Sequence, residues 1–170
     1  GDEQSWQGQP HDFLGLDEVV HFLEKQVRFL MGWVRSTVTG QRTRTVLGSN
    51  PPIDADGDWI VGMFRPWLDL THPNPAKPGE LRWYVTDPDG KDLEVPDNRP
   101  VELGGRTLIP LSRTFIPASL SDNPFLSRTT YQANLDALPE PLRSAVRDGN
   151  FMAARQDSEW QVIPTAWVIA

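Results

Sequence analysis

Apolar and polar residues follow one another along the chain in short blocks, separated by Pro, Gly and Asp. Residues 11–16 (HDFLGL) form a short apolar run that predicts a strand. From residue 19 to about residue 35, apolar side chains recur every three or four positions with charged residues between them, which predicts an amphipathic helix. Residues 44–48 (RTVLG) predict a second strand, which ends at the turn SNPP. The pattern therefore predicts a strand that runs into a helix, followed by a second short strand.

The middle of the chain predicts a helix start and a β-hairpin. Residues 59–68 (WIVGMFRPWL) are interpreted as the beginning of a helix, and a surface loop rich in Pro follows. Residues 81–95 hold two β-type segments around Asp-Pro-Asp-Gly, and this turn sequence is typical of a hairpin. Residues 96–105 are predicted to form a loop, and residues 107–118 short extended pieces.

Helical segments are predicted for the last third of the chain. Residues 121–123 are suited to cap a helix over 125–138, and a second helix is predicted to begin in 139–145 and to end at the turn Asp148-Gly149-Asn150. The tail carries Trp160 and Trp167 and ends in VIPTAWVIA, which predicts a strand whose continuation is missing. The fold class is α/β, with a core over 1–112 and a small helical subdomain with a linker over 113–170.

Composition and charge restrict the function classes. With 16 basic and 23 acidic residues the net charge is −7, so any nucleic-acid contact must be local. The chain has no Cys, which excludes disulfides, thiolate nucleophiles and Cys-ligated zinc. The three His residues lack metal-ligand spacing. No apolar run approaches the roughly 18 residues that span a bilayer, so a soluble protein without a membrane partner is predicted.

Candidate chemistry lies at the ends of the two predicted strands. Asp17 and Glu18 follow the first strand, where one carboxylate could hold the water shell of Mg²⁺ and the next could polarise an attacking water. The alternative is that this pair only caps the following helix. Ser49 and Asn50 follow the second strand, and parallel strands bring such ends into one crevice. An ordinary Asn-Pro turn is the alternative there.

Several segments in order resemble the ATPase region of the large subunit of phage terminases, the motor that packages viral DNA. They are WQGQPHDFLGLDEVVHF, GWVRS, RTRTVLGSNPP and FIPASLSDNPFLSRTTYQANLDALPEPLRSAVRDGNF. The resemblance implies a partial P-loop NTPase parallel sheet with the 81–95 hairpin inserted and a small C-terminal helical subdomain. In it the strands that end at Leu16 and Gly48 are parallel neighbours, since the helix between them supplies the crossover that parallel pairing requires. It further implies that Asp17 is the Walker B aspartate, bound to Mg²⁺ through water, and Glu18 the catalytic glutamate. Ser49 and Asn50 then form the coupling motif that senses the γ-phosphate.

The sequence also departs from that family. No G-x-x-x-x-G-K-[ST] phosphate loop occurs in it, and it stops before an acidic nuclease cluster. The resemblance thus implies a fragment that lacks the phosphate loop and the nuclease domain. We expect the isolated chain to be inactive and to bind no cofactor tightly, whereas the full-length protein would use ATP and Mg²⁺. Its implied partners are double-stranded DNA, the portal, the small terminase subunit and further copies of itself, in the host bacterial cytoplasm.

The sequence is also consistent with two other functions. A non-catalytic module that binds DNA or a protein would use Arg35, Arg42 and Arg44, since Arg suits phosphate and carboxylate recognition. A metal-dependent nuclease is disfavoured because no group of three or four carboxylates shares strand-end placement with Asp17 and Glu18. The segment DADGD at 54–58 departs from calcium-loop spacing and is interpreted as a turn.

Overall fold

A computed structural model describes residue 5, residues 7–126 and residues 129–153. The strand predicted at the end of the chain and both tryptophans of the tail lie outside the described residues. The chain divides into two units, Gly1–Ile60 with Ser119–Ala170 and the intervening Val61–Ala118. The division at 112/113 stays a prediction. The protein is mixed α/β with small sheets, as the sequence predicted at the level of fold class.

The first unit contains a parallel strand pair. Strand β1 (Phe13–Leu16) pairs with β2 (Arg44–Leu47), and Leu16 lies opposite Leu47. This agrees with the predicted parallel arrangement. Helix α1 (Glu24–Met31) lies between the two strands in sequence and supplies the long connection that parallel pairing needs. After α1 the chain returns beside the start of β1, where Val34 bridges His11 in parallel.

The continuous helix predicted from residue 19 to about 35 is wrong in its extent. Val19–His21 is one turn of 3-10 helix, and α1 starts only at Glu24. The Trp59 indole N–H donates to the Phe22 carbonyl at 3.0 Å, and the Gln26 side chain accepts from the Leu23 amide at 3.0 Å. These bonds occupy backbone groups that a continuous helix would use, so the helix is interrupted.

The second unit is built around a three-stranded antiparallel sheet. Strand β3 (Arg82–Thr86) lies between β4 (Asp92–Val95) and β7 (Leu111–Arg113), and the β3–β4 hairpin confirms the prediction for 81–95. The Asp87 carboxylate closes the turn by accepting from the Asp89 and Lys91 amides at 2.9 and 2.8 Å. The predicted helix start is also present, as α2 (Asp58–Met63) and α3 (Arg65–Leu68).

The loop predicted over 96–105 contains a strand and therefore needs correction. Strand β5 (Val101–Leu103) pairs with β6 (Arg106–Leu108) in a second hairpin. Gly104 and Gly105 join them with φ values of 58° and 72°. Two successive positive φ angles are the requirement of the tightest hairpin turns, and glycine meets it without steric cost.

Arg113 organises the polar side of the three-stranded sheet. Its guanidinium donates to the Asp92 carboxylate at 2.7 Å and to the Met63 carbonyl at 2.9 Å, and it lies 4.4 Å from the ring centre of Tyr84. The buried Tyr84 hydroxyl donates to Glu94 at 3.4 Å. Burial, followed by the charge of Glu94, raises the pKa of Tyr84 to about 12.

The first of the two C-terminal helices is shorter than predicted, and the second has the predicted place. Helix α4 is Tyr131–Asp136 rather than 125–138. The Asn123 side-chain oxygen accepts from the Phe125 amide at 3.1 Å, and the Thr129 hydroxyl accepts from the Tyr131 amide at 3.2 Å, so side chains take amides at the start of the predicted segment. Helix α5 (Leu142–Asp148) ends at Gly149 with φ 64°, as the turn sequence predicted. Within the described ranges no helix is long and apolar enough to cross a bilayer.

Candidate functional site

The carboxyl ends of β1 and β2 are joined by backbone hydrogen bonds that continue past the strands. The Gly48 amide donates to the Leu16 carbonyl at 2.8 Å, and the Val19 amide donates to the Gly48 carbonyl at 2.8 Å. The segments that follow the two strands are therefore held side by side. This is the placement that the parallel sheet predicted for the acidic pair and the Ser-Asn pair.

Glu18 and Asn50 meet at this edge. The Asn50 side-chain amide donates to both carboxylate oxygens of Glu18, each at 3.3 Å. Both residues are exposed. The arrangement leaves the Glu18 carboxylate accessible and fixes the direction in which it points.

Glu18 has a strained backbone. Its φ and ψ are 50° and 45°, and it is the only non-glycine residue with positive φ in the part of the chain that the structure describes. A side chain in this left-handed region costs free energy because Cβ approaches the carbonyl oxygen. Strain of this kind concentrates at functional positions, where surrounding contacts enforce it. The left-handed backbone conformation of Glu18 could not be predicted from the sequence.

Asp17 and Gly48 occupy the same corner. One Asp17 carboxylate oxygen accepts from the Glu18 amide at 3.0 Å, and a Cβ built on Gly48 would lie 2.9 Å from that oxygen. Glycine at position 48 thus leaves room for the Asp17 carboxylate. The Ser49 hydroxyl instead donates to the Asn50 carbonyl at 2.7 Å, so its proton is directed to the backbone rather than toward Glu18.

Gly57 lies behind the site in a 3-10 turn, Ala55–Gly57. A Cβ at this buried position would lie 2.4 Å from Pro52 Cβ and 2.8 Å from Val20 Cγ2. Pro52 follows the Ser-Asn pair, and Val20 follows the acidic pair. The absence of a side chain at 57 therefore lets the two segments that carry the site approach each other.

A cleft of about 280 Å³ opens beside Glu18 and Asn50. Its rim includes Asp54 and Asp56, and its walls include Leu142 and Val146 of α5. The sequence predicted only a turn at 54–58 and a helix that begins in 139–145. The 54–58 turn and α5 lie beside Glu18 only in the folded protein, and no local sequence signal predicts this arrangement.

Asp17 is the residue at this edge whose carboxylate is suited to hold Mg²⁺ through the water shell of the ion. Asp17 keeps one carboxylate oxygen that is not engaged by the Glu18 amide. In the described ranges, no group of three or more His, Asp or Glu side chains is arranged to hold a metal ion. A single carboxylate suits Mg²⁺ that retains its waters and is held in addition by phosphates of a ligand.

The three arginines proposed as contacts are far from this edge, at the amino ends of the strands. The Arg35 amide donates to the His11 carbonyl at 2.8 Å, and the Arg44 amide donates to the Asp12 carbonyl at 2.9 Å. Arg42 lies between Gln41, which also contacts Asp12, and Arg44. The structure therefore groups the arginines with one another and separates them from Asp17, Glu18 and Asn50.

We compared the chain with protein-family models, with curated proteins and with solved structures. Nothing matched.

Proposed function

We propose that the edge formed by Asp17, Glu18, Ser49 and Asn50 is half of an ATP-hydrolysing site, and that the chain is part of the large terminase subunit of a phage or prophage. In this proposal the whole motor uses ATP hydrolysis to move double-stranded DNA into a capsid. The chain contributes the Walker B segment, the coupling motif and the helical subdomain of a P-loop NTPase. The phosphate loop is supplied by another part of the motor.

The contact between Glu18 and Asn50 is the observation that carries this proposal. A hydrolytic site needs a carboxylate that orients water and a neighbouring group that responds to the terminal phosphate. Asn50 is a neutral donor and holds the Glu18 carboxylate from the adjacent strand end. A helix cap needs no such partner, and the Glu18 side chain accepts no capping hydrogen bond from the Val19–His21 turn.

The roles of the four residues follow from their positions. Asp17 would hold Mg²⁺ through its water shell, and the metal would neutralise charge on the phosphates of ATP. Glu18 would orient the attacking water. Asn50 would report the presence of the γ-phosphate to the second strand, with Ser49 setting the conformation of the Asn50 backbone through its hydroxyl.

The test uses a protein in which this chain is accompanied by a phosphate loop. Glu18→Gln keeps the size and the contact geometry but removes the carboxylate, so ATP hydrolysis should fall at least about a hundredfold while ATP binding persists. Asp12→Asn, at the amino end of β1, is the matched control and should leave hydrolysis unchanged. Normal hydrolysis by the Glu18→Gln protein would reject the proposal.

A second candidate function is a non-catalytic module that binds DNA or a protein. The observation that favours it is the grouping of Arg35, Arg42 and Arg44, all exposed, at one end of the strand pair. On this alternative the acidic pair is structural. This alternative would be supported if Arg42→Ala abolishes DNA binding while the Asp17→Asn and Glu18→Gln proteins bind DNA as the wild type does.

A further inference from the structure

The segment between β1 and α1 contains a conflict between its sequence pattern and its structure. Val19, Leu23 and Val27 are spaced by four residues, which is the spacing that places side chains on one face of a helix. Val19 and Val27 are buried, at 1% and 0% exposure, whereas Leu23 is 45% exposed. A continuous helix would bring Leu23 into the same apolar stripe. The interruption therefore leaves in solvent a side chain that favours burial.

The interruption is local and consists of two extended residues. Phe22 has φ −101° and ψ 141°, and Leu23 has φ −70° and ψ 143°. A 3-10 turn precedes these two residues, and α1 follows them. A 3-10 turn within a helical pattern often marks a hinge or a sequence under strain. Here the strained backbone is that of Glu18, directly before the turn, with φ 50°.

The Trp59 indole keeps the helix interrupted. Its N–H donates to the Phe22 carbonyl at 3.0 Å, and this oxygen is the one that the Gln26 amide would use in a continuous helix. The Gln26 amide instead donates to the Leu23 carbonyl at 2.9 Å. Without the indole N–H the Phe22 carbonyl would lack this donor, and continuation of the helix is the change that supplies another.

The continuity of the helix also decides the conformation of Glu18. In the interrupted form the His21 amide donates to the Glu18 carbonyl at 3.0 Å, and the Glu18 side chain meets Asn50. In a helix that starts at Val19, Glu18 becomes the residue before the first turn, where the backbone is extended. The left-handed conformation, and with it the contact to Asn50, therefore belongs to the interrupted form.

We propose that residues 19–31 are a two-state element, in which Trp59 selects the interrupted form and thereby positions Glu18. Loss of the Trp59 hydrogen bond shifts the population toward one continuous helix, in which Glu18 leaves the left-handed region and its contact with Asn50. Trp59 is thus a positioning residue that acts on Glu18 through Phe22. The consequence for hydrolysis rests on the function proposed above, whereas the conformational change does not.

The experiment is carbon chemical-shift NMR of the full chain, which reports helical backbone residue by residue. Trp59→Phe removes the indole N–H and keeps an aromatic side chain. The carbon shifts of residues 19–23 should move toward helical values, and the Asn50 side-chain amide resonances should shift. Trp67→Phe is the matched control, because the Trp67 indole also donates to a backbone carbonyl, that of Glu80 at 3.2 Å, and its loss should change neither signal.

Glu24→Pro separates the two forms. Glu24 is the first residue of α1, where proline is tolerated because the first amide of a helix has no partner within it. Proline also favours an extended residue before it, as in the interrupted form, and it disrupts a helix that continues through this position. In the Trp59→Phe background it should restore the wild-type carbon shifts at 19–23 and the Asn50 resonances. Glu24→Ala loses the same ion pair with Arg28 and should not restore them.

Three results would overturn the proposal. Trp59→Phe folds and keeps the wild-type carbon shifts at 19–23, or Trp67→Phe moves these shifts equally, or Glu24→Pro fails to restore them in the Trp59→Phe background. The first would mean that the interruption does not depend on the indole hydrogen bond. The second would assign the change to a general loss of stability, and the third would mean that the new form is not a continuous helix.

Gln26→Ala is a second route to the continuous form and replaces Trp59→Phe if that variant does not fold. The Gln26 side chain accepts from the Leu23 amide at 3.0 Å in the interrupted form, and alanine removes this acceptor while it favours a helix. The carbon shifts of residues 19–23 should again move toward helical values, and unchanged shifts would contradict the proposal. ATP takes no part in these measurements, so a Glu18 without a role in hydrolysis would refute the proposed function and leave this result intact.

Discussion

The side-chain amide of Asn50 holds the carboxylate of Glu18, with both oxygens 3.3 Å from the Asn50 nitrogen. The two residues are 32 positions apart and come together only because β1 and β2 are parallel and in register. The contact is made by a glutamate in the left-handed backbone region. The site therefore combines a fixed carboxylate with a local conformational cost.

Glu18→Gly should stabilise the protein. Glycine adopts a φ of 50° without the Cβ clash, so we expect the free energy of unfolding to rise by about 1 kcal/mol, less a small loss from the exposed Asn50 contact. Glu18→Ala removes the same contact but keeps Cβ, and it should give no such gain. Urea denaturation of the three proteins measures the difference. Equal stability of the Gly and Ala variants would show that the backbone at 18 is unstrained.

Replacing both Ser49 and Asn50 by Ala should uncouple hydrolysis from DNA movement in the complete motor. The Ala pair lacks the donor that contacts Glu18 and the hydroxyl that fixes the Asn50 backbone. We expect ATP binding to change by less than about threefold and packaging per ATP hydrolysed to fall by a larger factor. Packaging and hydrolysis measured in one assay give the ratio, and an unchanged ratio would remove Ser49 and Asn50 from the coupling role.

The 170-residue chain alone should bind ATP only weakly. Most of the affinity for triphosphates in P-loop proteins comes from backbone amides and a lysine of the phosphate loop, and this sequence has no such segment. Titration calorimetry with Mg-ATP should give a dissociation constant above about 1 mM, which corresponds to roughly −4 kcal/mol. Micromolar affinity would mean that the chain forms a phosphate site of another kind.

Gly57→Ala should destabilise the first unit and weaken the contact between Glu18 and Asn50. The new methyl group would clash with the Pro52 ring, which cannot rotate away, and overpacking of this kind costs about 1–3 kcal/mol. The Asn50 side-chain amide resonances in an NMR spectrum should shift as the two segments separate. Gly62→Ala is the control, because its Cβ meets nothing within 4 Å and alanine favours the helix.

Tyr84 should ionise late in an alkaline titration, at a pKa of about 12. Because the folded state holds this proton more tightly than the unfolded chain, the contribution to stability is complete below pH 10 and is lost as the pH rises toward 12. Difference absorbance between the wild type and Tyr84→Phe isolates the transition. Glu94→Gln removes the neighbouring negative charge and should lower the pKa of Tyr84; an unchanged value would assign the shift to burial alone.

The sequence predicted those elements whose signals are local. The Asp-Pro-Asp-Gly turn, with its Asp87 carboxylate, is sufficient to specify the β3–β4 hairpin. The two short apolar runs and the long connection between them specified the parallel pair, and that pair brought Glu18 to Asn50. This part of the candidate site could be predicted because strand direction follows from connection length.

What the sequence did not predict depends on distant partners. The apolar periodicity continues from residue 19 through the 3-10 turn into α1, so the sequence predicts one continuous helix. The helix is interrupted because the Trp59 indole donates a hydrogen bond to the Phe22 carbonyl, and this distant contact leaves no mark on the periodicity. The loop predicted over 96–105 missed the β5–β6 hairpin, although its Gly104-Gly105 pair is a sequence signal of a hairpin turn. The left-handed conformation of Glu18 and the wall that α5 adds to the cleft arise only when the unit is assembled.

The interruption of the first unit by Val61–Ala118 has a consequence for biosynthesis. The second unit consists of the 58 consecutive residues Val61–Ala118, so it can complete its folding while the ribosome is still producing Ser119 and the residues beyond it. The first unit must wait, since α5 supplies one wall of its cleft and is made last among the described elements. During that interval Ile53 and the neighbouring apolar surface are without their wall, and a nascent chain stalled before residue 142 would expose them to chaperones.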